Sequence, residues 1–112
     1  MTGGVPVVTA PADIDIITAG RLRAVLVQVT GAGHPMVVVD MTGTRFCDAS
    51  GLHTLLRVHK RAVAEGGELR LVIPADGAVA RIFAITCLDH LIPCFSGLDE
   101  ALTRQPAAAR HG

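Results

Sequence analysis

The sequence predicts a single α/β domain with a mostly parallel four-stranded sheet and about four helices. Three observations carry this reading. Short β-branched runs alternate with longer helical patterns in the order β-α-β-α-β-α-β-α, which implies right-handed crossovers over one sheet. The run "MVVVDM" (residues 36–41) is apolar without alternation, as suits a strand covered on both faces. Gly or Pro punctuates most junctions between the runs.

"VPVVTA" (residues 5–10) reads as the first strand, ended by Pro11, and "ADIDI" as a turn-like connection. From about residue 18 to 30, Leu22, Val25, Leu26 and Val29 recur at helical spacing. "GAGHP" stops that helix and "MVVVDM" follows as the second strand. The next helix spans residues 50–65, with Leu52, Leu55, Leu56, His59 and Val63 as its stripe. Arg57, Lys60, Arg61 and Glu65 fall mostly off the stripe, and Gly66-Gly67 closes the helix. "ELRLVI" (residues 68–73) is the third strand, ended by Pro74. "DGAVARIFAITCL" is a shorter helix with Asp76 as its expected N-cap. "LIPCF" (residues 91–95) is a short edge strand, because Pro93 cannot donate to a ladder. "SGLDEALTR" is the last helix, with Ser96 expected to cap it. One domain is therefore expected over residues 1–104, with a flexible tail at 105–112.

Composition narrows the function. The 112 residues fit one domain, and half of them are apolar. Trp and Tyr are absent and only Phe46, Phe83 and Phe95 are aromatic, so the core must be aliphatic. Ten basic residues balance ten acidic ones. Neither the basic footprint nor the stacking rings of a nucleic-acid binder are present. No apolar run approaches a membrane span, and the start "MTGGVPVVTAPAD" lacks the features of a signal peptide. Cys47, Cys87 and Cys94 form no C-x-x-C spacing, which points to reduced thiols and a cytoplasmic domain without structural zinc.

The chemistry-bearing stretch is "RFCDASGL" (residues 45–52), between the second strand and the second helix. Sites on such sheets gather at the carboxyl ends of strands. Asp15 follows the first strand, so neighbouring strands would place it on one rim with Asp48, Ala49, Ser50 and Gly51. Four readings compete. Asp48 or Ser50 caps the helix. The helix N-terminus binds a nucleotide or small anion, although only Gly51 is present and Asp48 would repel a phosphate. Ser50 acts as a nucleophile, although G-x-S-x-G is absent and His53 cannot readily orient it as a base. Or the rim docks another protein. His53 and His59 stand six apart, unlike an i, i+4 metal pair, so no metal site and no cofactor are expected. No nucleophile–base pair is visible, so an enzyme is not expected.

The stretch "VVVDMTGTRFCDASGLHTLLRVHKRAVAEGGELRLV" resembles the core of the anti-sigma factor antagonist family, the STAS domains. The family pattern is a strand, "x-F-x-D-S-[ST/A]-G-L", a helix, then "GG-x-L-x-L". "ADIDIITA" is similar to the family's "G-E-[LI]-D-x-x-T-A", with Asp15 on its Asp. "ARIFAITCLDHLI" resembles a third family segment, with Cys87 at a usual glycine. The likeness covers about residues 5–104. It implies a STAS-like fold and a non-enzymatic antagonist that binds an anti-sigma factor, often a serine kinase, and so releases a sigma factor to regulate transcription. It implies a partner surface at Asp15, Asp48, Ala49, Ser50, Gly51 and His53, with Leu52 packed inward and Arg57 at the flank.

In the family the kinase phosphorylates the residue after the motif Asp and switches binding off. Here that residue is Ala49, which has no hydroxyl. Three accounts stay open: an unswitched antagonist, phosphorylation displaced to Ser50, or a relative that meets no kinase. Two further expectations follow. The family's strand before the first one has little sequence here to form it, leaving an open edge and favouring a homodimer. Cys47 and Cys94 are either buried thiols or, if close, a redox-sensitive pair.

Overall fold

The computed structural model describes residues 4–103. In chain order the elements are β1 (Val7–Thr9), β2 (Asp13–Ile14), α1 (Ile16–Gly31), β3 (Met36–Asp40), β4 (Phe46–Cys47), α2 (Ala49–Ala64), β5 (Glu68–Val72), α3 (Ala78–Ile85), β6 (Cys94–Phe95) and α4 (Leu98–Thr103), with a 3₁₀ turn at Leu88–His90 before β6. The main sheet is parallel in the order β1-β3-β5-β6. The alternation of strands and helices thus closes as one α/β domain.

Period-2 alternation sends successive side chains of β3 and β5 to opposite faces of the sheet, both of them covered. Val37 and Val39 of β3 and Leu69 and Leu71 of β5 join Leu22, Leu26, Leu55, Val58 and Phe83 in one apolar cluster, aliphatic but for Phe83. The intervening Val38 and Val72 face the other way, onto Ala101 and Leu98 of α4. Each fully buried Val, Leu or Phe contributes about 1.5–3 kcal/mol over its exposed state.

Arg70, in step with Val38 and Val72, is completely buried beneath α4. Its Nε donates to Glu68 Oε2 at 2.7 Å and its Nη1 to the Ala101 carbonyl at 2.6 Å, while the guanidinium stands 5.4 Å from the Phe95 ring centre. The bond to Ala101 satisfies a carbonyl that the end of a short helix leaves without an intrahelical donor. One cation therefore ties α4 to the sheet.

Several local expectations are corrected. "ADIDI" is not only a turn: Asp13 and Ile14 form β2, which pairs in parallel with β4 in a second, two-stranded sheet. The short pairing was hidden because neither strand has length enough to show a period. Helix α1 begins at Ile16 rather than near 18, and Val25 of its expected stripe is exposed. On α2 the buried positions are Gly51, Leu55, Val58, His59 and Ala62, so Val63 points to solvent. His59 lies inside, as its place on the stripe implied: its Nδ1 accepts the Leu69 N–H at 3.1 Å. Burial lowers its pKa, opposed in part by Glu68 and by a backbone hydrogen bond with Leu91.

Asp76 does not cap α3; Gly77 holds that position with no side-chain bond. Helix α4 begins at Leu98, and Gly97, not Ser96, offers the carbonyl that receives the Ala101 N–H. The last strand shrinks to Cys94–Phe95. The expected tail at 105–112 lies outside the described residues.

Two backbone positions explain local sequence. A Cβ on Gly67 would fall 1.8 Å from the Pro35 carbonyl oxygen, so only glycine lets β5 start beside the β3 entry. Cys87 takes a left-handed conformation, φ 60°, between α3 and the 3₁₀ turn. A glycine would sit there without the Cβ penalty.

A candidate docking rim at two helix starts

The small β2–β4 sheet builds the rim. Register pairs Asp13 with Phe46 and Ile14 with Cys47. Ile14 and Cys47 point inward and are buried, while Asp13 and Phe46 point outward. The next residue on each strand is a helix cap, so α1 and α2 start side by side. The Asp48 N–H donates to the Ile14 carbonyl at 3.0 Å and joins the two starts.

Both acids are committed to the helices they precede. Asp15 Oδ1 accepts the N–H groups of Ile17 and Thr18, each at 2.9 Å, and the Thr18 hydroxyl accepts the Asp15 N–H at 2.8 Å. This reciprocal capping box satisfies donors that a helix start leaves open. The Thr18 backbone bond, with smaller help from its hydroxyl and from Ile17, holds the Asp15 pKa below the ordinary carboxylate value. Asp48 Oδ1 accepts the Gly51 N–H at 3.1 Å. The capping function therefore falls to Asp48 at α2, with Ser50 already inside the helix.

Gly51 is buried against the small sheet. A Cβ there would meet Cys47 Sγ and Ile14 Cγ2 at 2.6 Å each. The glycine thus seats α2 on β2 and β4, which is packing rather than ligand chemistry. Ala49 is exposed as the first residue of α2, Ser50 is half-buried, and His53 is exposed one turn on. Leu52 is half-buried and packs against the main core.

The structure adds residues that sequence reasoning missed. Ile16 is 75% exposed, Ile17 64% and Phe46 49%. These apolar side chains stand next to Asp15 and on β4, flanking the two caps. The only signal for them was phase: Ile16 and Ile17 precede the buried face that runs through Ala19, Leu22 and Leu26. Arg45 makes an exposed ion pair with Asp13 at 3.8 Å, of small energetic weight.

Among the described residues no group of three or more His, Cys, Asp and Glu could hold a metal ion. Cys47, Cys87 and Cys94 are free thiols. Burial, with Asp48 adding to it, pushes Cys47 up to about 11; burial, with Asp89, pushes Cys94 up to about 12. Such thiols stay protonated near neutral pH and behave as small apolar groups. Among the described residues no helix is long and apolar enough to cross a membrane.

A family model for the STAS domain matches residues 1–101. The chain belongs to the STAS family. This STAS domain is 29% identical over 101 residues to a protein named anti-sigma-F factor antagonist RsfB of Mycobacterium tuberculosis, spanning 89% of this chain and 80% of the relative. The crystal structure of an anti-sigma factor antagonist from Mycobacterium paratuberculosis superposes with a TM-score of 0.81 at 29% identity, covering 92% of this chain and 86% of that one. An NMR structure of a Thermotoga maritima protein superposes with a TM-score of 0.79 over 94% of this chain and 86% of that one. At 17% identity it supports the fold alone.

Proposed function

We propose that this STAS domain is an anti-sigma factor antagonist that works without the family's phosphate switch. One observation carries the reading. Two helix starts lie side by side, each closed by its own aspartate, and present exposed Ala49 among exposed Ile16, Ile17 and Phe46. Such a surface has apolar anchors for a protein partner and no evident chemistry of its own. Two relatives named as anti-sigma factor antagonists support an anti-sigma factor as the partner class; in this proposal its capture frees a sigma factor for transcription. Asp15, Asp48, Ala49, Ser50, Gly51 and His53 are the proposed rim, and Ile16, Ile17 and Phe46 extend it.

Ala49 sits where the family accepts phosphate, so a serine kinase partner finds no hydroxyl at that point. Ser50 is one residue further, about 100° around the helix, and half-buried. Binding therefore persists in ATP. Titration calorimetry against purified anti-sigma factors tests the surface. Phe46→Glu should weaken binding at least about tenfold, since a charge replaces an apolar anchor. Equal affinity of wild type and Phe46→Glu would remove the rim from the contact.

Self-association is a second proposed contact. Among the described strands β1 pairs only with β3, and the proposed occupant of its other edge is a strand of a second copy. Light scattering at rising concentration should show a dimer; a monomer at every concentration would end the proposal.

A further inference from the structure

The packing of α1 on α2 brings three arginines to one cleft. Arg23 comes from α1, Arg57 and Arg61 from α2, and Val27 and Val58 line the same space, a cavity of about 200 Å³. The convergence is electrostatically unfavourable by itself. Arg57 and Arg61 are one turn apart on one helix, where like charges repel. The nearest compensation is Glu65, 3.6 Å from Arg61. Among the described residues Arg23 and Arg57 make no ion pair with a carboxylate within 4.0 Å. Helix α1 carries no acidic residue at all. A chain of zero formal net charge thus gathers three cations against one anion in a single concavity.

We propose that this cleft is a binding site for a phosphate or diphosphate group. Guanidinium forks match phosphate oxygens two at a time, and several of them around one group share its charge. The space is smaller than the roughly 300–1,000 Å³ of a drug-sized ligand pocket, so it holds the anionic group, and the rest of any larger ligand lies outside it. Val27 and Val58 give the cleft an apolar part to its lining. The helix starts are the poorer anion site, because Asp15 and Asp48 already occupy them. Arg23 lies about two turns, roughly 10 Å, along α1 from Ile16, and Arg57 about as far from Ser50 on α2. The cleft is therefore distinct from the proposed rim residues, although Arg57, expected at the rim's flank, lines it; its ligand does not depend on the antagonist reading.

The test is an amide NMR titration of the full chain with sodium pyrophosphate, repeated with inorganic phosphate, ADP and a hexaglutamate peptide, at constant ionic strength. Pyrophosphate should give saturable shifts at Arg23, Val27, Arg57, Val58 and Arg61, with a Kd below about 1 mM. The double variant Arg23→Gln/Arg57→Gln should lose at least about tenfold in affinity, while Lys60→Gln, exposed and outside the cleft, should not. Both variants change exposed side chains, and circular dichroism verifies that they fold. ADP binding tighter than pyrophosphate at the same residues would support the site and identify a nucleoside diphosphate as the source. Equal binding would support the free group. Three outcomes would overturn it: shifts that never saturate, shifts at residues 48–51 instead, or binding of hexaglutamate without pyrophosphate.

Discussion

The two faces of the main sheet are held by different physics. Beneath α1, α2 and α3 the contact is apolar, non-directional and broad, built on Leu22, Leu26, Leu55, Leu69, Leu71 and Phe83. Beneath α4 the apolar contact is small, and a buried cation completes it through Glu68, the Ala101 carbonyl and the Phe95 ring. The first face tolerates a change of shape in proportion to volume. The second depends on geometry, because a buried charge without partners is expensive. A short helix cannot bury enough surface to stay docked on apolar contact alone, so it is fastened by a directed bond.

The largest expected effect breaks the second face. Arg70→Ala should destabilise the fold by about 3–5 kcal/mol, as the loss of one partner does for a buried ion pair. Hydrogen exchange should show the amides of α4 losing protection ahead of the rest. Uniform loss over all elements would mean that Arg70 is not a local fastener. On the first face, Leu55→Ala should cost about 2–5 kcal/mol, and here protection should fall everywhere together, since the cavity opens in the shared core.

A smaller effect depends on pH. His59 is buried with Nδ1 as an acceptor, and its pKa is lowered in the folded state, chiefly by burial. The unfolded chain therefore binds a proton first as pH falls. The contribution is whole above about pH 6.5 and is lost as pH falls through the folded pKa. Urea midpoints measured from pH 8 to 5 should decline for wild type and decline less for His59→Gln. Parallel slopes would assign the acid sensitivity to other groups. The smallest effect is a gain: Cys87→Gly should stabilise by about 1 kcal/mol by relieving a left-handed non-glycine residue. No rise in thermal midpoint would show that the Cys87 side chain repays its backbone cost.

Much of the first face was legible in the sequence, because long runs repeat their period. "MVVVDM" announced a strand covered on both faces, "ELRLVI" a further strand, and Leu55 was correctly placed inside. The second face was not. Arg70 reads as one more surface charge until its phase with Val72 is set beside the position of α4. The β2–β4 pair was equally hidden, since two-residue strands show no period and their pairing is non-local. At the rim, the motif around Asp48 was visible, as was the missing hydroxyl at Ala49. The apolar flank of Ile16, Ile17 and Phe46 emerged only when the two helix starts were placed side by side. The arginine cleft lies between helices that are far apart in sequence, so no local pattern announces it.

The proposed antagonist carries no phosphate switch on its rim. Native mass spectrometry of the chain mixed with an anti-sigma kinase, first in ADP and then in ATP, tests it most directly. The wild-type complex should persist in ATP with no added mass. Ala49→Ser should restore a switch, gaining one phosphate, with its charge of about −1.5 to −2, and losing the complex. A phosphate mapped to Ser50 of the wild-type chain, with the complex lost in ATP, would contradict the claim.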